Sequence, residues 1–118
     1  MTAEEFDDYL VSLGLTVETI ADGQGVEYTV VRDFEIPAGP LRGKRCDVAL
    51  ARSTANPYVV ASAIQTNPRL VAMGSATTQP SPLAGWQYWS RRYDHVVAPQ
   101  RIWAHVLTIL GDPSLVTA

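Results

Sequence analysis

The first half of the chain contains three stretches of β-forming residues that lie close together and are joined by turns. Strands are predicted at residues 16–20, 26–34 and 45–51. Alternation is clearest in the third stretch, where Cys46, Val48 and Leu50 fall on one face. Residues 21–25 contain an aspartate and two glycines, and residues 36–43 contain two prolines and two glycines, so both favour turns. Because these connections are too short for a parallel crossover, the strands predict an antiparallel meander.

The N-terminal segment has the features of an amphipathic helix. Thr2 and Glu5 have the spacing of a capping box, and the acidic residues around them lie where the helix dipole favours negative charge. The apolar stripe at helical spacing consists of Phe6, Tyr9, Leu10 and Leu13. Since Gly14 is suited to the left-handed conformation that ends many helices, we expect a helix that ends there and lies on the sheet.

A second helix is predicted near the other end of the sequence. Pro99 suits the first position of a helix, and Gly111 and Pro113 are suited to end it. The predicted buried stripe is Ile102, Trp103, Val106, Ile109 and Leu110. The residues predicted to face solvent are Gln100, Arg101, His105 and Thr108.

The region between the meander and this helix is less regular. Residues 58–64 and 70–73 are short apolar runs that each predict a strand, whereas residues 74–85 are small and polar and predict a long loop. The whole order predicts one α+β domain over residues 1–118. It consists of an N-terminal helix, an antiparallel β-meander of three to four strands, a long irregular segment and a C-terminal helix.

Composition excludes several classes of protein. The 118 residues are 47% hydrophobic and 18% charged, which is typical of a globular chain, and no run approaches the ~20 apolar residues of a membrane helix. Because the first residues are acidic, we expect no signal peptide, and because the chain has a single cysteine, we expect the reducing cytoplasm as its location. One cysteine and two histidines argue against a disulfide framework and a metal site, and no glycine pattern indicates a cofactor.

The charge is distributed unevenly along the chain. Residues 1–27 contain seven acidic residues and no lysine or arginine, whereas residues 28–118 contain five acidic and nine basic residues. From Val48 to Tyr93 there are four arginines and no acidic residue. Four arginines in that length are too sparse for a nucleic-acid groove, so neither a nucleic acid nor a membrane is an expected partner.

Each residue that could carry chemistry also has a structural interpretation. Cys46 is the only cysteine, but its place in an alternating strand favours a small buried hydrophobe over a nucleophile. His95 lies beside Asp94 and could act as an acid or base, or be a surface histidine without a role. Ser90 could act as a nucleophile only with an activating base.

The run from Gly85 to Arg92, which we call the tryptophan segment, is the most unusual part of the sequence. Trp86, Tyr88 and Trp89 lie within a few residues of two arginines. Such residues form either a packing cluster with cation–π support or a binding hot spot for a partner protein. Composition alone favours packing.

The tryptophan segment resembles a prokaryotic branch of the ubiquitin-conjugating-enzyme superfamily, often called family E. Those proteins carry the sequence Trp-x-x-Trp-Ser-Arg-His and a later tryptophan that leads into a final helix. The matching residues here are Trp86, Trp89, Ser90, Arg91 and Trp103. Residues 30–37 and 47–50 are similar to the central strands of that family.

The sequence departs from that family at the expected catalytic positions. Arg92 stands where the family has its histidine, and His95 is the nearest histidine. Ordinary conjugating enzymes carry a His-Pro-Asn tripeptide and a thioester-forming cysteine, and residues 74–95 contain neither. A conventional thioester mechanism is therefore not expected.

The resemblance implies a ubiquitin-conjugating-like protein of a bacterial ubiquitin-like modification pathway, whose partners are a ubiquitin-like modifier protein and an activating enzyme. Such a protein would accept or position the C-terminus of the modifier, as an ester on a hydroxyl rather than a thioester. The candidate catalytic residues are Ser90 as acceptor, His95 as base or orienting group, and Arg91 and Arg92 as stabilisers of developing negative charge.

Two alternatives remain: a small interaction or immunity domain with no link to ubiquitin, and a non-catalytic adaptor. In the adaptor interpretation Trp86, Tyr88 and Trp89 bind the modifier or the activating enzyme, and the nucleophile has been lost while the aromatic surface is kept.

Overall fold

The computed structural model describes residues 3–52, 63–67, 78–80, 85–90 and 99–111. These residues form two helices and six strands. The helices are α1 (Ala3–Ser12) and α2 (Pro99–Leu110). The strands are β1 (Thr16–Ala21), β2 (Glu27–Glu35), β3 (Arg45–Ala51), β4 (Ala63–Asn67), β5 (Thr78–Pro80) and β6 (Gln87–Ser90). The predicted α+β class is confirmed at this level.

The six described strands form one antiparallel sheet in the order β1-β2-β3-β4-β6-β5. Strands β1 to β4 are neighbours in the order in which the chain forms them, so the predicted meander is confirmed and has four strands. Strand β6 lies between β4 and β5, and it carries the tryptophan segment into the sheet.

Strand β5 corrects the prediction of a continuous loop over residues 74–85. Thr78–Pro80 pairs with β6 through main-chain positions, with Gln79 opposite Tyr88. The three residues have no apolar alternation, so their strand conformation depends on the later strand with which they pair.

The two apolar runs predicted as strands are described only in part. Strand β4 begins at Ala63, near the end of the first run, and continues to Asn67. Residues 58–62 and 70–73 lie outside the described residues.

The main core lies between the helices and one face of the sheet, which we call the helix face. Phe6 and Leu10 of α1 are fully buried there, as predicted. Leu13 is instead 47% exposed, because α1 ends at Ser12 and the next residues no longer follow the helical stripe. The predicted stripe of α2 is confirmed, and its buried residues are Ile102, Trp103, Val106, Ile109 and Leu110.

The other face of the sheet, which we call the second face, is also partly buried. Its buried cluster contains Tyr28, Val30, Ala49 and Trp86, with Val30 directly opposite Ala49. Strands β2 and β3 therefore bury apolar residues on both sides, which is typical of strands in the middle of a sheet.

The connection between β2 and β3 packs against the end of α2. Gly39 has a φ of +86°, and a Cβ placed there would lie 2.6 Å from the main-chain oxygen of Gly111. Two glycines thus allow the two backbones to approach closely.

Neither described helix is long and apolar enough to cross a membrane.

Candidate functional site

The tryptophan segment enters the sheet as β6. Gln65 of β4 lies opposite Tyr88, and side chains alternate between the faces along each strand. Gln87 and Trp89 therefore point to the helix face, whereas Trp86 and Tyr88 point to the second face. The segment thus places its aromatic side chains on both sides of the sheet.

Trp89 is part of the main core. Its side chain is fully buried, and Nε1 donates a hydrogen bond to Thr66 Oγ1 at 2.9 Å. A buried indole N–H needs such an acceptor, since leaving it unpaired costs free energy. Trp103 lies in the same cluster and meets Phe34 edge to face, with ring centroids 5.2 Å apart. Trp89 anchors the tryptophan segment by packing.

Trp86 is also largely buried, but on the second face. Only 8% of it is exposed, and it packs in the cluster that contains Val30 and Ala49. The structure thus places Trp86 and Trp89 in the interior rather than at the surface where a partner-binding ring is expected. Tyr88 is half-buried, and partner binding by this residue stays a prediction.

The four candidate catalytic residues follow β6 or end it. Ser90 is the last residue of β6, and its main chain pairs with Ala63 of β4. Arg91, Arg92 and His95 lie outside the described residues. The structure therefore shows where Ser90 is held in the backbone, and the roles of all four side chains stay predictions.

The sole cysteine is buried, as its place in β3 predicts. Cys46 is 3% exposed in the main core. Burial, together with the nearby Asp47 carboxylate, raises the pKa of its thiol to about 12. Since the thiolate is the reactive form, Cys46 is unreactive at neutral pH.

His105 differs from its predicted place in solvent. Its side chain is partly buried on α2, and burial lowers the pKa of the imidazole below its usual value. Helical spacing predicted His105 on the polar side of α2. The side chain lies near the boundary between the polar and apolar sides, so it is partly buried.

A cluster of polar residues around Arg52, which no sequence pattern indicated, joins α1 to the sheet. We call it the Arg52 cluster. Arg52 Nη2 lies 2.6 Å from Asp7 Oδ2 and 2.9 Å from Thr19 Oγ1. Arg52 Nε donates to Thr29 Oγ1 at 3.1 Å, and Arg52 Nη1 lies 3.5 Å from Glu27 Oε2. Thr29 Oγ1 donates in turn to Asp7 Oδ1 at 2.8 Å.

The Arg52 cluster is a structural link rather than a ligand site. All three nitrogens of the guanidinium contact oxygens of α1, β1 or β2, and the side chains of Arg52 and Asp7 are only 17% and 23% exposed. The two residues are 45 positions apart, so local pattern could not have found the pair. The contacts hold the chain at the point where it leaves β3.

A β-bulge in β2 forms a second charged cluster. The pairing with β3 shifts between Val31 and Phe34. Within the shift, Asp33 has a φ of +49°, and its N–H donates to Asp47 Oδ1 at 2.8 Å. Bulges change the direction of a strand and increase its twist, and aspartate tolerates the left-handed conformation better than most residues.

The same bulge presents Asp33 to an arginine at the start of β3. Arg45 Nε and Nη2 contact the two carboxylate oxygens of Asp33 at 2.8 and 3.1 Å, and Nη1 contacts Glu35 at 3.1 Å. The hydrogen bonds and charge of Arg45 lower the pKa of the Asp33 carboxyl. This group, which we call the Arg45 cluster, is exposed to solvent.

In the part of the chain that the structure describes, no three His, Cys, Asp or Glu side chains lie together in a way that could hold a metal ion. Comparisons with protein-family models, with curated proteins and with solved structures found no match to this chain. The chemical possibilities of the site therefore come from its own residues. These are a strand that ends on a hydroxyl residue, indole rings held in the interior, and a thiol that is shielded from solvent.

Proposed function

We propose that this chain is a ubiquitin-conjugating-like protein of a bacterial ubiquitin-like modification pathway. It accepts or positions the C-terminus of a small modifier that an activating enzyme delivers. The order of elements supports this proposal, because a helix, four antiparallel strands in chain order, the tryptophan segment and a final helix follow one another as the resemblance implies. The observation that carries it is the place of Ser90, at the end of a strand whose preceding residue, Trp89, is locked in the core.

A fixed backbone matters for this kind of transfer. A nucleophile and a carbonyl react efficiently only when they are held in the right geometry. The Trp89 ring is buried and hydrogen-bonded, and the main chain of Ser90 pairs with Ala63. These contacts support Ser90 as a residue with a defined position.

The proposed step is an acyl transfer from sulfur to oxygen. The Ser90 hydroxyl attacks the carbonyl carbon of the modifier's thioester, the C–S bond breaks, and an ester forms. His95 takes the hydroxyl proton and gives it to the departing thiolate. Arg91 and Arg92 stabilise the negative charge that develops on the carbonyl oxygen.

The buried thiol supports oxygen over sulfur as the acceptor. Cys46 is shielded in the main core and remains protonated at neutral pH. A thioester there would require the core to open, whereas an ester on Ser90 would not require Cys46 at all.

The experiment that tests the proposal is the intact mass of the chain after co-expression with the genes that flank its own. We expect a mass increase equal to that of a small protein, which hydroxylamine removes because it cleaves esters. Cys46→Ala should keep the adduct, and this separates an ester from a thioester on Cys46. An unmodified chain that also forms no complex would contradict the proposal.

Single variants assign the roles within the site. Ser90→Ala and His95→Ala should each abolish the adduct while the melting temperature stays near that of the original chain. Ser12→Ala is the matched control, because Ser12 is an exposed serine on α1. If both site variants still carry the modifier, the assignment of Ser90 and His95 is wrong.

The second candidate function is a non-catalytic adaptor, and the burial of the sole thiol also favours it. An adaptor would form a stable complex on gel filtration without any mass increase. Tyr88→Ala should then weaken partner binding by at least ~1 kcal/mol, because tyrosines at the centre of an interface contribute strongly. Unchanged affinity of Tyr88→Ala, with an unchanged melting temperature, would count against the adaptor.

A further inference from the structure

Strand β1 forms one edge of the sheet. Its six residues, Thr16–Ala21, pair with β2 on one side, and no described strand pairs with the other side. Such an edge presents a row of main-chain N–H and C=O groups, to which an extended chain can bond as a further strand.

Two hydrogen bonds show which groups of β1 point outward. The N–H of Asp22 bonds to the oxygen of Val26, so this pair at the end of the hairpin is directed inward. The main-chain oxygen of Glu27 accepts a hydrogen bond from the N–H of Arg52, so the main-chain groups of Glu27 point away from β1. Ala21, which lies opposite Glu27, therefore makes no main-chain hydrogen bond to Glu27. Bonded and non-bonded pairs alternate in an antiparallel ladder. The main-chain groups that point out of the sheet are therefore those of Val17, Thr19 and Ala21.

The residues of β1 themselves lack several features that usually protect an edge strand. The strand contains no proline and no lysine, and the bulge lies in β2. Its one charged residue, Glu18, is paired with Arg32 at 3.1 Å. The opposite edge differs, because β5 has only three residues and includes Pro80. Short strands and prolines discourage further pairing, so β5 has these two kinds of protection and β1 has neither.

Two exposed apolar residues come shortly before β1 in the chain. Val11, near the end of α1, is 56% exposed, and Leu13, between α1 and β1, is 47% exposed. They can cover the side chains of an added strand at its Thr16 end, as apolar contacts accompany main-chain pairing in other added strands.

Helix α1 packs against β1, so its charge indicates what kind of segment fits this edge. Residues 1–27 contain seven acidic residues and no lysine or arginine. Arg52 and Arg32 neutralise only part of this charge, and Glu4 and Asp8 are exposed and form no ion pair with described residues. An acidic second copy of this region would be repelled, whereas lysine or arginine side chains would be attracted.

We propose that the β1 edge binds an extended, basic segment of a partner protein, which adds to the sheet next to β1. Main-chain bonds to Val17, Thr19 and Ala21 provide the pairing, and the acidic residues of α1 select for basic side chains. This interaction surface lies on a different part of the sheet from the tryptophan segment, and it does not depend on the function proposed for that segment.

The probe for the test is a short peptide that alternates lysine with valine and threonine and is blocked at both ends. Titration of the full chain, followed by amide NMR spectra and hydrogen exchange, should shift and protect the N–H groups of Val17, Thr19 and Ala21. The same peptide with glutamate in place of lysine should bind at least about tenfold more weakly at low salt. A peptide N-methylated at every residue should not bind, because neither of its edges can then donate hydrogen bonds to the ladder.

Two pairs of variants sharpen the test. Ala21→Pro removes one outward N–H and should weaken binding, whereas Ala21→Val keeps that N–H and should bind as before. Replacing two acidic residues with lysine, by Glu4→Lys and Asp8→Lys, should greatly reduce the preference for the lysine peptide over the glutamate peptide.

Several results would overturn the proposal. The first two are equal binding of the lysine and glutamate peptides and shifts of amide signals outside β1. The other two are a lack of binding at the highest peptide concentration, and outward N–H groups of β1 that are already protected from exchange in the free chain. If Ala21→Pro does not fold, the N-methylated peptide still decides whether main-chain pairing is involved.

Discussion

The Arg52 cluster and the Arg45 cluster resemble each other in chemistry and differ in burial. Each guanidinium contacts two carboxylates. The side chains of Arg52 and Asp7 are 17% and 23% exposed, whereas those of Arg45 and Asp33 are 53% and 73% exposed. Water and salt screen an exposed pair, but they screen a partly buried pair much less.

The clusters also differ in what they connect. Arg45 joins β3 to a bulge in β2, and these two strands are already paired by main-chain bonds. Arg52 joins β3 to α1, which has no main-chain pairing with the sheet. The loss of the Arg52 cluster therefore removes polar contacts between α1 and the sheet. After the loss of the Arg45 cluster, β2 and β3 are still joined by main-chain hydrogen bonds.

The largest effect is expected for Arg52→Met. Methionine keeps the apolar stem but leaves Asp7 without its cation in a partly buried place, so we expect unfolding to become easier by about 2–3 kcal/mol. Urea denaturation followed by tryptophan fluorescence measures the change. Arg101→Met is the control, because Arg101 is an exposed arginine on α2. If Arg52→Met lowers the free energy of unfolding no more than Arg101→Met does, burial does not make the Arg52 cluster more stabilising than the Arg45 cluster.

A smaller loss is expected for Asp7→Asn. The amide can still accept from Thr29, but its charge no longer balances Arg52, so we expect a loss of about 1–2 kcal/mol. The double variant with Arg52→Met should lose less than the sum of the two single losses, because the residues interact directly. Additive losses in the same urea experiment would show that Asp7 and Arg52 act independently.

Arg45→Met should leave the denaturation midpoint unchanged within the error of replicate experiments, because both partners of Arg45 are exposed and the strands stay paired. Raising the salt to about 1 M, where screening acts over roughly 3 Å, should remove any remaining difference. The effect of Arg52→Met should persist under the same conditions. A clear loss of stability in Arg45→Met would show that the bulge depends on this cluster.

The smallest effect is a change in titration. Because Arg45 lowers the pKa of the Asp33 carboxyl, the contribution of this contact is present above the ordinary pKa of 3.8 and is lost as the pH falls through the lowered value. Carboxyl-carbon NMR should show Asp33 titrating below 3.8 in the original chain and at an ordinary value in Arg45→Met. An unchanged Asp33 titration in that variant would show that a group other than Arg45 lowers this pKa.

Local pattern predicted the elements whose residues carry their own signals. The bounds of β3 and of α2, the burial of Cys46 and the positive φ of Gly14 follow from alternation, helical spacing and turn chemistry. Leu13 was misplaced because helical spacing alone cannot show at which residue the helix ends. Strand β5 was missed because its pairing with β6 is what makes it a strand.

The candidate site was predictable as a segment but not as an arrangement. The aromatic residues singled out the segment, yet only the sheet decides that Trp89 points to the helices while Trp86 and Tyr88 point the other way. The register between β4 and β6 also supplies the Thr66 hydroxyl to the Trp89 indole. A one-residue shift of that register would move Trp89 to the second face and Tyr88 to the helix face.

Local sequence patterns were enough to predict the α+β class, the antiparallel order of β1, β2 and β3, the buried stripe of α2, and the burial of Phe6 and Leu10 in α1. These depend on contacts between residues that are near one another in the chain, or on periodicities that repeat within one element. The contact between Asp7 and Arg52, the place of Trp89 in the core, and the position of β1 at the end of the described strand order all depend on how distant parts of the chain pack together. Those features join residues far apart in the chain, and their geometry is set by how the layers pack rather than by any local preference.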